Sequence, residues 1–440
     1  MNPFDKEQQK RYEELLESVP MDTLQPESQF RAYKRLKQRT RHKRLLQLAI
    51  TVTFIMIAFI GSIRISPALA QAVAQIPGLK PLVEMIAFDK GIEDIVSNEY
   101  YEHINASQTI NGKTLTITGV VADESGMIIS YKLNSDEDLA IFKGIITEIK
   151  QKGEQIRATV GSSWAAQPKG TYEIENTINV VSRQGMDYSS KDFKLTLSLS
   201  DHPETVFEIP FTLKNDVKAS KHYTVNKQVI IEGQRMTIHE LIISPIRSEL
   251  KMSIDPKNSK KILSFEDIRI YDEHQEEWGK IKNGVVGFGN YEDEKFSIML
   301  ESNYFRIPKS ITIELREIEA IDKADDFIIV DFDKEKIISQ PENINIELEI
   351  KDNFEIQYKI SPYKKKEHKG VFSHLEDANG NIYYSNSTWI SEYENYMLIG
   401  QQFDMENVER LPTKPIKLQI ARYEQYLKGS GRVQIELQKN

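Results

Sequence analysis

The chain contains no cysteine, which excludes disulfide stapling, thiolate zinc sites and cysteine nucleophiles together. A lipoprotein anchor is excluded with them. Any folded part must therefore hold itself by burying apolar surface, which domains of about 100 residues or more can do unaided. Glycine (21) and proline (16) are too few among 440 residues for a collagen-like or low-complexity chain. Hydrophobic content of 40% and charged content of 28% instead fit folded domains, about three of them on length. Long apolar runs are also missing, with one exception.

That exception is Leu45 to Ile63, LLQLAITVTFIMIAFIGSI, without a charge or a proline. A helix of roughly 20 such residues is what a bilayer core of about 30 Å requires, so the run reads as one transmembrane helix. Before it, residues 31–44 hold eight Lys or Arg and no acid, including Arg39, Arg41, Lys43 and Arg44 at the membrane edge; after it comes Arg64. The positive-inside rule then places the N-terminus in the cytoplasm and the region beyond Arg64 outside. The alternative is a secretory signal peptide cleaved after Ala70, at Ala68-Leu69-Ala70. The 44 residues ahead of the run and its length favour retention. Residues 1–44 carry a net charge of +4 and the remainder −13. A basic arm of this kind is drawn to anionic membrane lipid, and no nucleic-acid partner is expected.

The arm divides at Pro20 and Pro26. Residues 5–18 read as a short helix with Asp5 as N-cap and Tyr12, Leu15, Leu16 and Val19 at helical spacing; beyond Glu27, Phe30, Tyr33 and Leu36 share a face. Helices this short are marginal alone. Leu15, Leu16, Phe30, Tyr33 and Leu36 are therefore the candidate partner-binding set. Residues 64–98 read as a helical stalk: Ser66-Pro67 opens one piece, Pro77-Gly78 ends it, and Leu82, Val83, Ile86 and Phe88 make another before Lys90-Gly91.

From about Tyr100 the apolar period becomes two. Leu115 and Ile117, then Ile129, Tyr131 and Leu133, then Phe193 to Leu199, then Phe207 to Leu213 alternate, with turns such as Asn-Gly between runs. The fold class is thus mainly β: a single N-terminal membrane helix and short helices, then tandem antiparallel β-sandwich, Ig-like modules. The expected units are a cytoplasmic arm (1–44), the membrane helix (45–63), the stalk (64–98), two extracellular sandwiches (99–215 and 216–335) and a third extracellular β module (336–440). Asn111–Leu133 and Glu232–Ile254 also match at a constant offset of 121 residues, pairing Gly112 with Gly233 and Tyr131 with Met252. This suggests two related sandwiches.

Arg64-x-Ser66-Pro67-Ala68-x-Ala70, Ile76-Pro77-Gly78-Leu79-x-Pro81-Leu82, Asp89-Lys90-Gly91-Ile92 and Gly112-x-x-Leu115-Thr116-Ile117 resemble the bacterial membrane-protein family called domain of unknown function 4179. Glu232-Gly233, Thr237-Ile238, Ser244-Pro245, Asp272-Glu273 and Glu301-Ser302-x-Tyr304-Phe305-x-x-Pro308-Lys309 resemble its companion, domain of unknown function 5643. The resemblance implies a Gram-positive cell-membrane protein, anti-sigma-factor-like, whose cytoplasmic arm meets an extracytoplasmic-function sigma factor. It brings no catalytic residues. The zinc-binding His…Cys-x-x-Cys motif of well-known anti-sigma factors is absent.

No enzymatic chemistry is legible. Asp272–Trp278 lacks the glycine and ligand register of a calcium loop and reads as a solvated hairpin loop. His239-Glu240 lacks the second histidine of a zinc-protease helix, and Gly284–Gly289 lacks the Lys-Ser/Thr of a phosphate loop. Trp164, Trp278 and Trp389 could line an external ligand platform, although aromatics at alternating positions generally fill cores. No catalytic, cofactor-binding or metal-binding residue is expected. The reading is a single-pass regulator with an external sensing part of unknown ligand; the alternative is an anchored envelope-binding or structural protein without signalling.

Overall fold

The computed structural model describes residues 3–18, 89–162, 164–281, 286–289, 295–306, 308–360, 370–403, 405 and 411–437. The Leu45–Ile63 run, Phe30, Tyr33, Leu36 and the basic residues Arg39, Arg41, Lys43 and Arg44 lie outside them, as do residues 64–88. No helix among the described residues is long and apolar enough to cross a membrane. The chain forms two compact units, residues 1–71 and 72–440. The first contributes helix α1 (Pro3–Glu17). Proline is tolerated in a first helical turn, so the helix starts at Pro3 and Asp5 lies inside it instead of capping it.

Among the described residues of the second unit, helix α2 (Lys90–Ser97) comes first and the rest is mainly β, in several antiparallel sheets. Lys90-Gly91 begins this helix, because Asp89 supplies the N-cap. The first sandwich uses β1 (Glu102–Ile110), β2 (Lys113–Asp123), β3 (Gly126–Ser135), β4 (Ile145–Gln151), β5 (Glu154–Gln155), β6 (Thr159–Ser162), β7 (Glu173–Val181), β8 (Asp192–Leu199) and β9 (His202–Thr212). One sheet runs β1-β2-β3-β7-β6 and the other β5-β4-β8-β9. The alternating residues of both point inward, among them Leu115, Ile117, Tyr131, Leu195, Leu197, Phe207 and Ile209. Across β8 and β9, Phe193 and Phe211 stack at 5.6 Å.

The second sandwich comprises β10 (Lys221–Ile231), β11 (Gln234–Ile243), β12 (Arg247–Ile254), β13 (Lys260–Asp272), β14 (Glu277–Gly279), β15 (Gly287–Phe288), β16 (Phe296–Glu301) and β17 (Ser310–Asp322). One sheet, β10-β11-β12-β16-β15, copies the order of its counterpart. The 121-residue offset extends to the irregularities. Bulges at His103/Ala106 and Ile117/Gly119 recur at Thr224/Lys227 and Ile238/Glu240. Gly112 and Gly233 occupy the same left-handed turn position, at φ 72° and 77°. Bulges are placed features of a strand pair, so their coincidence argues for a structural repeat.

The other sheet, β14-β13-β17-β26, matches β5-β4-β8-β9 only when its last member is taken from the far end of the chain, β26 (Gly431–Glu436). Between β17 and β26 lie β18 (Phe327–Asp331), β19 (Lys336–Ser339), β20 (Glu347–Ile350), β21 (Glu355–Ile360), β22 (Phe372–Glu376), β23 (Ile382–Glu392), β24 (Met397–Phe403) and β25 (Ile416–Ile420). They form one sheet, β19-β18-β25-β22-β23-β24-β21-β20, whose end strands β19 and β20 approach each other. This is a near-closed barrel around Ile328, Ile356, Tyr358, Met397, Ile399 and Leu418, and not a third sandwich. Alternating strands suit either architecture; the long β23, which joins the β22 side to the β24 side, bends the sheet round on itself. The third module thus differs from the expected 336–440 unit: it is an insertion into the second sandwich, starting at Phe327, after which the chain returns to complete that sandwich.

The insertion is tied to its host by charge. Arg422, after β25, lies 2.6 Å from Glu319 and also pairs with Glu266. Glu319 is only 2% exposed. Removing one member of a buried ion pair typically costs about 3–5 kcal/mol. Arg422→Ala is expected to destabilise the second sandwich by about 3 kcal/mol, read as a lower urea midpoint. An unchanged midpoint would deny this junction a stabilising role.

Candidate functional site

Helix α1 is wholly exposed from Glu7 to Ser18. Tyr12, Leu15 and Leu16 are 53%, 62% and 61% exposed, at the spacing that puts them on one face. Leu15 and Leu16, the two predicted partner-binding residues within the described region, are thus accessible.

Three buried charges, Asp94, Asp123 and Arg247, gather where the chain enters its β region. Asp89 accepts a hydrogen bond from Gly91 N at 2.8 Å and caps α2, whose Ile92 and Ile95 are buried. Although α2 leads directly into the first sandwich, its side chains bind the second. Lys90 Nζ donates to Glu276 Oε1 at 3.2 Å and to Glu277 O at 2.9 Å, and lies 5.1 Å from the centre of a Trp278 ring. Arg306 grips Asp94 at both carboxylate oxygens, at 3.0 and 2.9 Å. Gly91 rests against Ser302, where an added Cβ would stand 2.9 Å from the backbone nitrogen.

Beside the helix, equivalent turns of the two repeats meet. Asp123 Oδ1 accepts from Ser125 N, Ser125 Oγ and Gly126 N, while Oδ2 accepts from Ile246 N of the second sandwich at 2.6 Å. Tyr188 Oη shares its one proton between Asp123 O and Gly126 O, at 2.8 and 2.9 Å, fixing that turn from the first sandwich. The linker is held as well: Ser220 N donates to Glu124, and Lys218 lies over the rings of Tyr100 and Phe305, which themselves sit 5.6 Å apart.

Burial dominates the electrostatics here. It pushes Asp89 up to about 7, reinforced by Glu301 and opposed by the backbone amides of Gly91 and Ile92 and by Arg247. Burial also raises Asp94, against the pull of Arg306, and Asp123, against Arg247 and its hydrogen-bond donors. Arg247, 5% exposed, is lowered by burial while Asp123 and Asp89 oppose the shift. Its Nε has no hydrogen-bond partner among the described residues. These groups are disposed to hold three segments together through charge.

The other residues singled out in the sequence are dispersed. Asp272–Trp278 forms the β13–β14 turn: Asp272 accepts from His274 N and Glu276 N, Glu273 from Lys309 N, and Trp278 is buried. His239 Nε2 lies 2.7 Å from Ser253 Oγ. Among the described residues no three His, Asp or Glu gather to hold a metal. Trp164 donates to Phe142 O at the edge of the first core, while Trp389 is 39% exposed. The charge junction was not legible because Asp94 and Arg306, or Asp123 and Ile246, are joined only by folding; a lone aspartate ending an apolar strand was the one available signal.

These features define a β protein of two related sandwiches, the second carrying an inserted barrel. Residues 40–135 match the family described as "Domain of unknown function (DUF4179)", and residues 220–351 the "Family of unknown function (DUF5643)". The chain carries both domains, and the junction draws Asp89, Asp94 and Asp123 from the first and Arg247, Glu276 and Arg306 from the second. No curated protein matches. The chain is similar to a solved structure described as "The crystal structure of the conserved domain protein from Bacillus anthracis", with 16% identity, TM-score 0.35, and 54% of this chain and 84% of that one covered.

Asp89 retains its proton in the docked junction up to about pH 7 but loses it near 3.8 once freed. The folded state binds more protons in that window, so its contribution to stability falls as pH rises through it and is flat above. Asparagine keeps the N-cap without the charge. Asp89→Asn is expected to melt higher than the parent at pH 8 and at nearly the same temperature at pH 4. A difference independent of pH would remove Asp89 as the titrating group.

Proposed function

We propose that the protein is a single-pass, membrane-anchored, anti-sigma-factor-like regulator without catalytic activity. In this reading residues 45–63 cross the cell membrane, the N-terminal arm is cytoplasmic and the β region lies outside. The partners are membrane lipid, an extracytoplasmic-function sigma factor held by the arm, and an external ligand. The apolar run with its one-sided basic flank supports the topology. The observation that carries the regulatory part is α1, which presents Tyr12, Leu15 and Leu16 to solvent on one face with no core of its own. A short helix of that kind gains most of its stability from a partner's groove.

The test is co-purification from membranes of the full-length tagged chain, with bound proteins identified by mass spectrometry. A sigma factor is expected with the parent, and Leu15→Glu with Leu16→Glu is expected to reduce its recovery roughly tenfold or more, as truncating interface anchors does. Capture that survives the double variant would sink the assigned face. Absence of any sigma factor from the parent, with transcription unchanged on deleting the arm, would leave the anchored envelope-binding reading in its place.

A further inference from the structure

The barrel carries an aromatic surface with no part in its core. On β24, Ile399 and Gln401 are buried and turn inward, which places Gly400 between them on the outward face. Trp389 of β23 pairs with Gly400, and its ring covers the glycine so closely that an added Cβ would lie 2.1 Å from Cε2. Continuing across the sheet, Gly400 pairs with Gln357 of β21, and Gln357 with Glu349 of β20. The next row outward is Ser391, Leu398, Lys359 and Glu347. At the end of the hairpin, Tyr393 and Tyr396 stack at 4.4 Å with their planes 13° apart, and Lys359 lies 4.7 Å from the Tyr396 ring centre. Trp389 and Tyr393 remain 39% and 48% exposed.

We propose that this outer face of β23, β24, β21 and β20 binds a neutral, hydroxyl-rich polysaccharide strand. A ring laid flat over a glycine has one face packed and the other open, which suits stacking against the C–H face of a pyranose. Trp389 in β23 and Tyr393, one residue past its end, are four residues apart, about 13 Å at the rise of extended chain, room for roughly two or three sugar rings. Charge selects against other occupants. Lys359 and Lys351 are already paired with Glu347 and Glu349 at 3.1 and 2.6 Å, and Glu355 accepts from Gln357. An anionic polymer or anionic lipid surface would meet this acidic rim without a spare cation in these rows, whereas carboxylates and amides are good partners for neutral hydroxyls. The proposal rests on the membrane reading only in setting the face outside the cell.

The experiment uses the full-length chain in lipid nanodiscs, titrated with the β-1,4-linked tetramer of N-acetylglucosamine and, in parallel, of glucose. Calorimetry and tryptophan emission are recorded together. Trp278 is buried and Trp164 is hydrogen-bonded at a core edge, so Trp389 is the expected reporter. Saturable binding of at least one tetramer with an emission change is expected. Trp389→Phe should abolish that change while retaining weaker binding, and Trp389→Ala and Tyr393→Ala should each weaken binding roughly tenfold. The absence of heat with both tetramers at millimolar concentration overturns the proposal, as does affinity unchanged in both alanine variants. A parent that self-associates in sedimentation, and loses this with Trp389→Ala, also overturns it by making the face a contact between copies. Sigma-factor capture is measured on the same variants; it should be unaffected, so this proposal and the regulatory reading can fail separately.

Discussion

The buried carboxylate of Asp123 is the constraint on which the arrangement of the β region turns. It closes its own hairpin turn through Ser125 and Gly126 and reaches Ile246 N in the neighbouring sandwich. A carboxylate taken from water is costly unless its acceptor sites are filled. The two turns satisfy that demand only when they meet, so any hinge between the sandwiches would strand the Asp123 charge and its buried companion Arg247. The junction is therefore a place of stiffness, with the linker at Lys218 and Ser220 folded into it.

Helix α2 uses the same region for a different purpose. It belongs in sequence to the first repeat, yet Lys90 and Asp94 are held by Glu276 and Arg306 of the second. The described end of the segment that enters the β region is thus held by the second sandwich while its chain runs on into the first. In the proposed topology, a change in how the sandwiches meet would be felt first at α2. That consequence follows from the contacts of the helix rather than from any motion.

The inserted barrel shows how much a sandwich tolerates once its strand pairing is secure. Ser310–Leu315 of β17 pairs with Gly431–Glu436 of β26 as the equivalent hairpin does in the first repeat, despite the residues between them. The cost of closing a loop grows only slowly with its length. An insertion with a core mostly its own, which takes in Leu263 and Ile321 of the host strands, adds little to that cost, and Arg422 with Glu319 and Glu266 supplies a charged seam at its base.

Composition and periodicity sufficed for the β class, because side chains alternate across a strand wherever one face is buried. The offset linking Gly112 to Gly233 likewise marked a repeat, since a left-handed turn favours glycine at the same place in both copies. The Leu45–Ile63 run and its basic flank carried the membrane reading by length and charge alone, with no tertiary partner needed to state it. Other features had no local signal. Alternation is the same in a sandwich and a barrel, and a strand cannot announce that its partner lies a hundred residues away, as β17 and β26 do. Nor could Asp89, Asp94 and Asp123 be distinguished from solvated surface acids, because burial and the distant Arg247 and Arg306 give them their properties. Local sequence determined which faces are apolar; tertiary structure decided which charges share one junction, because that depends on segments that only folding brings together.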